Sequence, residues 1–163
     1  MKKIFFVLPP LFFTLIFATC NKDLSPTANP FYFQCKINGQ TYIPGMGNGL
    51  TCELLEDTTL LLGGNLGYQA LSIAIINVTG QVVTTITYIL NDNPRQSGLY
   101  DNSPLVNDIY KTDVTHTGQL TITTLDKTNK IIQGTFYFKA YNAYRNDSVS
   151  VTEGKFRLHY IIS

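Results

Sequence analysis

The chain has two histidines, His116 and His159, and these are its only side chains whose ordinary pKa suits acid-base work near neutral pH. His159 alternates with Leu158 and Tyr160 and so points away from a core. His116 sits in a threonine-rich turn. No G-x-S-x-G elbow, H-E-x-x-H pair or Walker loop accompanies them. The glycines around 45–49 and Gly63-Gly64 do not follow a strand and open a helix, as a phosphate loop must. No catalytic set and no cofactor are therefore expected. Asp92, Asp101, Asp108 and Asp113, with Asn91, Asn93 and Asn102, supply oxygen ligands in one region. Their spacing is not that of an EF-hand, and such residues also build turns, so no metal site is assigned.

Two cysteines carry a second kind of chemistry. Cys35 lies on the apolar side of an alternating segment, and Cys52 shares parity with Leu50 and Leu54. In an oxidising compartment two inward cysteines can form a disulfide; otherwise they pack as small hydrophobes. The aromatic residues offer a third. Tyr137, Lys139 and Tyr141 alternate with Phe136, Phe138 and Ala140, and Tyr144 and Arg145 follow in the next turn. An exposed row of this kind can bind sugars or proteins, or it can simply brace the sheet through cross-strand pairs.

The elements that must position these residues are strands. The chain has 163 residues, 44% hydrophobic and 14% charged, enough for one packed domain. Ten Tyr and ten Phe join abundant Thr, Ile and Val, residues that fit a pleated surface. Phe33, Cys35 and Ile37 alternate with polar neighbours up to Asn38-Gly39, a two-residue hairpin signal. That turn pairs Ile37 with Gln40 and Cys35 with Tyr42. Residues 50–56 read as a strand in preference to a helical turn. Strands are also expected over 59–62, 68–78 and 81–90, the last with Val82, Thr84, Ile86 and Tyr88 on one face. Residues 91–104 read as loop, with a brief pairing at Gly98-Leu99-Tyr100. Strands follow over 119–125, 130–141, 147–152 and 155–162. The expected core includes Phe33, Ile86, Ile122, Phe136, Phe138, Phe156 and Leu158. Consecutive strands with short turns predict an all-β, antiparallel β-sandwich, with a closed antiparallel barrel as the alternative.

The N-terminus reads differently. Lys2 and Lys3 precede an apolar run from Ile4 to Ala18, shorter than the ~20 residues a membrane span needs. This is the pattern of a cleaved export signal. Phe17-Ala18-Thr19-Cys20 resembles the lipobox of bacterial lipoproteins, with Phe17 where Leu is usual and Thr19 where Gly or Ala is usual. The resemblance implies a signal over 1–19, lipidation at Cys20 and a polar tether over 20–30 carrying a single domain over 31–163. Removing Lys2 and Lys3 from 12 basic and 11 acidic residues leaves 10 against 11. With no basic cluster, nucleic acid is not an expected partner.

Residues 33–44 (FQCKINGQTYIP), Gly98-Leu99-Tyr100, 118–122 (GQLTI), Leu125-Asp126, 134–138 (GTFYF) and 151–156 (VTEGKF) resemble a lipoprotein family of Bacteroidota known as domain of unknown function 6252. The chain departs from that pattern at Gln133 and Arg157. The resemblance implies an outer-membrane, lipid-anchored protein on the periplasmic or the surface side. It implies no activity. Asp57-Thr58-Thr59 and Asp147-Ser148-Val149 also resemble the O-glycosylation triplets of that group. The expected function is therefore non-enzymatic binding or scaffolding at the cell envelope. The partners would be the membrane, through the anchor, and envelope proteins or glycans; the alternative is a glycan- or small-ligand-binding module using the tyrosine face.

Overall fold

A computed structural model describes residues 31–45, 49–77, 79–93, 95–102 and 108–162. The expected signal, Cys20 and the tether lie outside these residues. The described chain forms twelve strands: β1 (Tyr32–Ile37), β2 (Gln40–Tyr42), β3 (Leu50–Leu55), β4 (Thr59–Leu66), β5 (Gln69–Ile76), β6 (Thr87–Leu90), β7 (Gln96–Asp101), β8 (Ile109–Lys111), β9 (Gly118–Asp126), β10 (Ile131–Asn142), β11 (Asp147–His159) and β12 (Ile161–Ile162). They are all antiparallel except for β12, which runs parallel to β3.

The strands hydrogen-bond in the order β12-β3-β4-β5-β7-β8-β10-β11-β1-β2, with β9 and then β6 added beside β10. The sheet is open, so the barrel alternative is wrong. It doubles over into two layers, β3-β4-β5-β7-β8 and β6-β9-β10-β11-β1-β2. The layers join in the ladder through a single pair, Tyr141 with Lys111, and through β12, which continues β11 and reaches β3. Tyr42 at the far end donates a 2.6 Å hydrogen bond to the Gly64 carbonyl, tying β2 to β4.

One apolar core lies between the layers. Leu60, Leu62, Leu71, Ile73 and Ile75 come from one side; Phe33, Leu120, Phe136, Phe138 and Phe156 come from the other. The rings of Phe33 and Phe136 stack with centroids 5.0 Å apart. Gly98 on β7 brings its backbone against the Phe138 ring; a Cβ there would stand 2.8 Å from the ring carbons. The Asn38-Gly39 turn has φ of 48° and 81°, and the pairs Ile37–Gln40 and Cys35–Tyr42 form as the hairpin chemistry predicts.

Four expectations are corrected. Residues 81–86 are not strand: Val83 turns inward and donates its N–H to Asp57 O at 2.7 Å. That leaves Ile86 52% exposed and outside the core. The pairing expected within 91–104 is longer than Gly98–Tyr100, because β7 pairs with β5 over six residues, Gln96–Asp101. A short β8 also forms, pairing Tyr110 with Tyr100. Finally, 147–152 and 155–162 are not separate strands; Asp147–His159 is one strand interrupted by a bulge.

Candidate functional site

The outer face of the second layer carries the residues of the tyrosine row. β10 alternates strictly: Phe136, Phe138 and Ala140 face the core, while Thr135, Tyr137 and Lys139 face outward. Tyr137 is 50% exposed and Tyr144, in the turn after β10, is 79% exposed. The other two members of the predicted group are held locally. The Tyr141 hydroxyl donates to Asn146 Oδ1 at 2.6 Å, and its ring lies flat beneath the His116 imidazole, centroids 4.7 Å apart. Arg145 Nε stands 2.8 Å from Oδ1 of the buried Asp108, too poorly aligned for a hydrogen bond to that oxygen. Asn102 donates to the other Asp108 oxygen at 3.0 Å. Tyr137, Lys139 and Tyr144 thus remain presented to solvent, whereas Tyr141 and Arg145 brace the turn.

A groove of about 450 Å³ opens beside Tyr137. Its origin is the bulge in β11. Phe136 pairs with Gly154 and Phe138 with Val151, so Thr152 and Glu153 together oppose Tyr137. The extra residue bends the strand and opens a depression between Tyr137 on one side and Lys155 on the other. Along one side of it runs a cross-strand row: Gln34, Lys155, Thr135, Thr121 and Thr87. Gln119, opposite Tyr137, closes the end. Glu153 takes φ of 53°, a left-handed conformation that glycine adopts without strain. Its carboxylate is neutralised by Lys36 Nζ at 2.7 Å.

A second concavity of about 340 Å³ lies at one end of the sandwich, among Tyr42, Tyr100, Tyr110, Gln69 and Asn102. Gln69 Nε2 donates to Tyr100 Oη and to Asn102 Oδ1, both at 2.7 Å. Burial raises the pKa of all three tyrosines and is the largest cause in each. These hydroxyls stay protonated at neutral pH and act as donors. Sequence reasoning missed both concavities, because each gathers residues from strands far apart in the chain.

The remaining candidates disperse. Cys35 on β1 and Cys52 on β3, the pair considered for a disulfide, are buried and stand as free thiols. Their strands lie in different layers and are not ladder neighbours. Burial pushes both thiols up to about 12, which makes them poor nucleophiles and poor metal ligands. Asp92 pairs with Lys111, Asp108 with Arg145 and Asp113 with His116. No group of three or more His, Cys, Asp or Glu gathers among the described residues. His116 Nδ1 lies 3.0 and 3.1 Å from the two Asp113 oxygens. No Ser, Thr or Cys side chain among the described residues bonds to its ring. His159 is exposed, its ring edge-on to Phe31.

The strand-and-turn frame that carries these features matches, over residues 29–158, the family described as Domain of unknown function (DUF6252). The chain is a DUF6252 protein. The match spans the sandwich from the residues just before β1 almost to the end of β11, and it takes in the groove, the bulge and Tyr137. No curated protein and no solved structure matches the chain. The DUF6252 domain therefore brings a frame with no assigned chemistry, and the outer face must be read from its own residues.

Proposed function

We propose that this DUF6252 protein is a non-enzymatic lipoprotein of the bacterial cell envelope. In this reading Cys20 carries the lipid, the anchor holds the outer membrane, and residues 31–163 form a rigid β domain that binds or scaffolds. The observation that carries it is Tyr137, half exposed beside a groove and held on the long central strand β10. Binding energy concentrates on tyrosine, and a regular strand holds it more accurately than a loop does. His116, among the described residues the one histidine with a carboxylate partner, stacks on Tyr141 and has no described nucleophile bonded to its ring, which favours recognition over hydrolysis.

Two measurements test this. A Cys20→Ala protein should lose fatty-acid labelling and leave the membrane fraction; retention of both would remove the anchor. The full-length lipoprotein, immobilised from detergent, should retain an envelope component that Tyr137→Ala releases at an unchanged melting temperature. Unchanged capture by Tyr137→Ala would mean that the tyrosine only covers the sheet. The second reading, a glycan- or small-ligand-binding module, is favoured by the groove itself.

A further inference from the structure

We propose that the groove over the β11 bulge binds a carbohydrate residue bearing a carboxylate, a hexuronic acid within a polysaccharide. Tyr137 is the stacking platform and Lys155 the partner of the carboxylate. This rests on the recognition reading above and narrows it to a class of ligand.

The volume, about 450 Å³, falls within the range of small-ligand pockets. The groove is shallow and its walls are mixed. A pyranose ring has one flat C–H face and a rim of hydroxyls. It therefore needs one exposed aromatic face and several short polar side chains around it. Tyr137 supplies the face: it is half exposed, and no ring stacks on it among the described residues. Thr135, Thr121, Gln119 and Gln34 supply hydroxyls and amides that both donate and accept. Such a wall suits a sugar better than a protein, whose interface core would need a larger apolar patch.

Charge selects the acidic sugar. Glu153 and Lys36 cancel each other at 2.7 Å. Lys155 has no carboxylate within 4.0 Å among the described residues, so the groove keeps one uncompensated positive charge. Lys155 and Tyr137 flank the bulge from neighbouring strands, so one ring can stack on the phenol while its carboxylate reaches the ammonium. The bulge also sets the side chain of Glu153 as a wall of the groove.

The test is calorimetric titration of the full-length lipoprotein in detergent with trigalacturonic acid, with maltotriose as the neutral control. Trigalacturonic acid should bind and maltotriose should bind at least about tenfold more weakly, the discrimination expected of one charge-assisted contact. Lys155→Gln should reduce the acidic affinity by roughly tenfold and leave the neutral one unchanged. Tyr137→Ala should abolish both, while Tyr137→Phe, which keeps the ring, should bind like the wild type. Equal affinity for the two sugars, with Lys155→Gln silent, overturns the choice of an acidic ligand. Binding that survives Tyr137→Ala overturns the groove as its location. If neither sugar binds but capture of an envelope component still depends on Tyr137, the sugar proposal falls and the recognition reading stands.

Discussion

Phe136 and Gly154 face each other across the β10–β11 ladder, and the phenyl ring fills the space that a Cβ on Gly154 would need, with ring carbons 2.5 and 2.6 Å from that position. Two residues along the ladder the roles are exchanged: Gly134 lies against the ring of Phe156, where a Cβ would stand 2.8 Å from Cζ. Each glycine lets the opposite ring lie flat over the backbone, and Phe136 then reaches Phe33 at the centre of the core. Gly154→Ala should destabilise the domain by about 1–3 kcal/mol through overpacking. Phe136→Ala should cost about 3–5 kcal/mol through lost burial and a cavity. Denaturant melts of the two variants check this; a change under about 0.5 kcal/mol for Phe136→Ala would contradict its place in the core.

Glu153 should behave in the opposite sense. Its left-handed backbone costs an L-residue about 1 kcal/mol relative to glycine, and its ion pair with Lys36 is exposed on both sides, so it adds little. Part of the relief is offset because glycine makes the unfolded chain more flexible. Glu153→Gly should therefore leave the melting temperature unchanged or raise it. A loss of more than about 1 kcal/mol would show that this side chain holds the bulge together.

The thiols give a kinetic test. Cys35 and Cys52 are buried and their pKa values lie near 12, so almost no thiolate exists at pH 8. Alkylation of the native protein should be slow at both positions and complete on unfolding without reductant. Material that stays unlabelled after unfolding, until it is reduced, would mean that the cysteines are oxidised in the cell.

Asp113 should make stability depend on acidity. Its carboxylate accepts the backbone N–H of His116 at 2.6 Å and of Thr115 at 2.7 Å. These bonds, the one from His116 foremost, hold its pKa below the ordinary aspartate range. A folded pKa below the unfolded one means the stabilisation is fully present above the ordinary range and fades as pH falls through the folded value. Asp113→Ala should thus be less stable than wild type at neutral pH, and the gap should close on acidification below the ordinary aspartate value. Melting curves across pH decide it; a gap that stays constant would show that the carboxylate's charge plays no part.

The frame was legible wherever local chemistry decides structure. Asn38-Gly39 accept positive φ, so the first hairpin and its register followed from two residues. Strict alternation over Phe136, Phe138 and Ala140 likewise gave the faces of β10. Sequence misled where a non-local partner overrides local preference. Gly98 and its Asn- and Asp-rich surroundings look like loop around a brief pairing, yet the ladder with β5 runs over Gln96–Asp101, and the missing Cβ of Gly98 leaves room for the Phe138 ring. Val82, Thr84 and Ile86 alternate like a strand, but Val83 is pulled inward by Asp57. The bulge beside Thr152 and Glu153 broke the alternating pattern, so one strand read as two. At the outer face, Tyr137 was placed by parity alone, whereas the ties of Tyr141 to His116 and of Arg145 to Asp108 join distant positions that no local pattern reveals.

The order of strands along the ladder sets a timetable for folding. Among the described residues β1 pairs only with β2 and β11, and β3 only with β4 and β12. The earliest described strand, β1, therefore gains its β11 neighbour, and β3 its β12 neighbour, only when the end of the chain is made. Contacts of such long range close slowly, and until residues 147–162 arrive the early strands can form hairpins but not a sandwich. Docking of β11 and β12 onto strands made earlier is then the step that should set the folding rate.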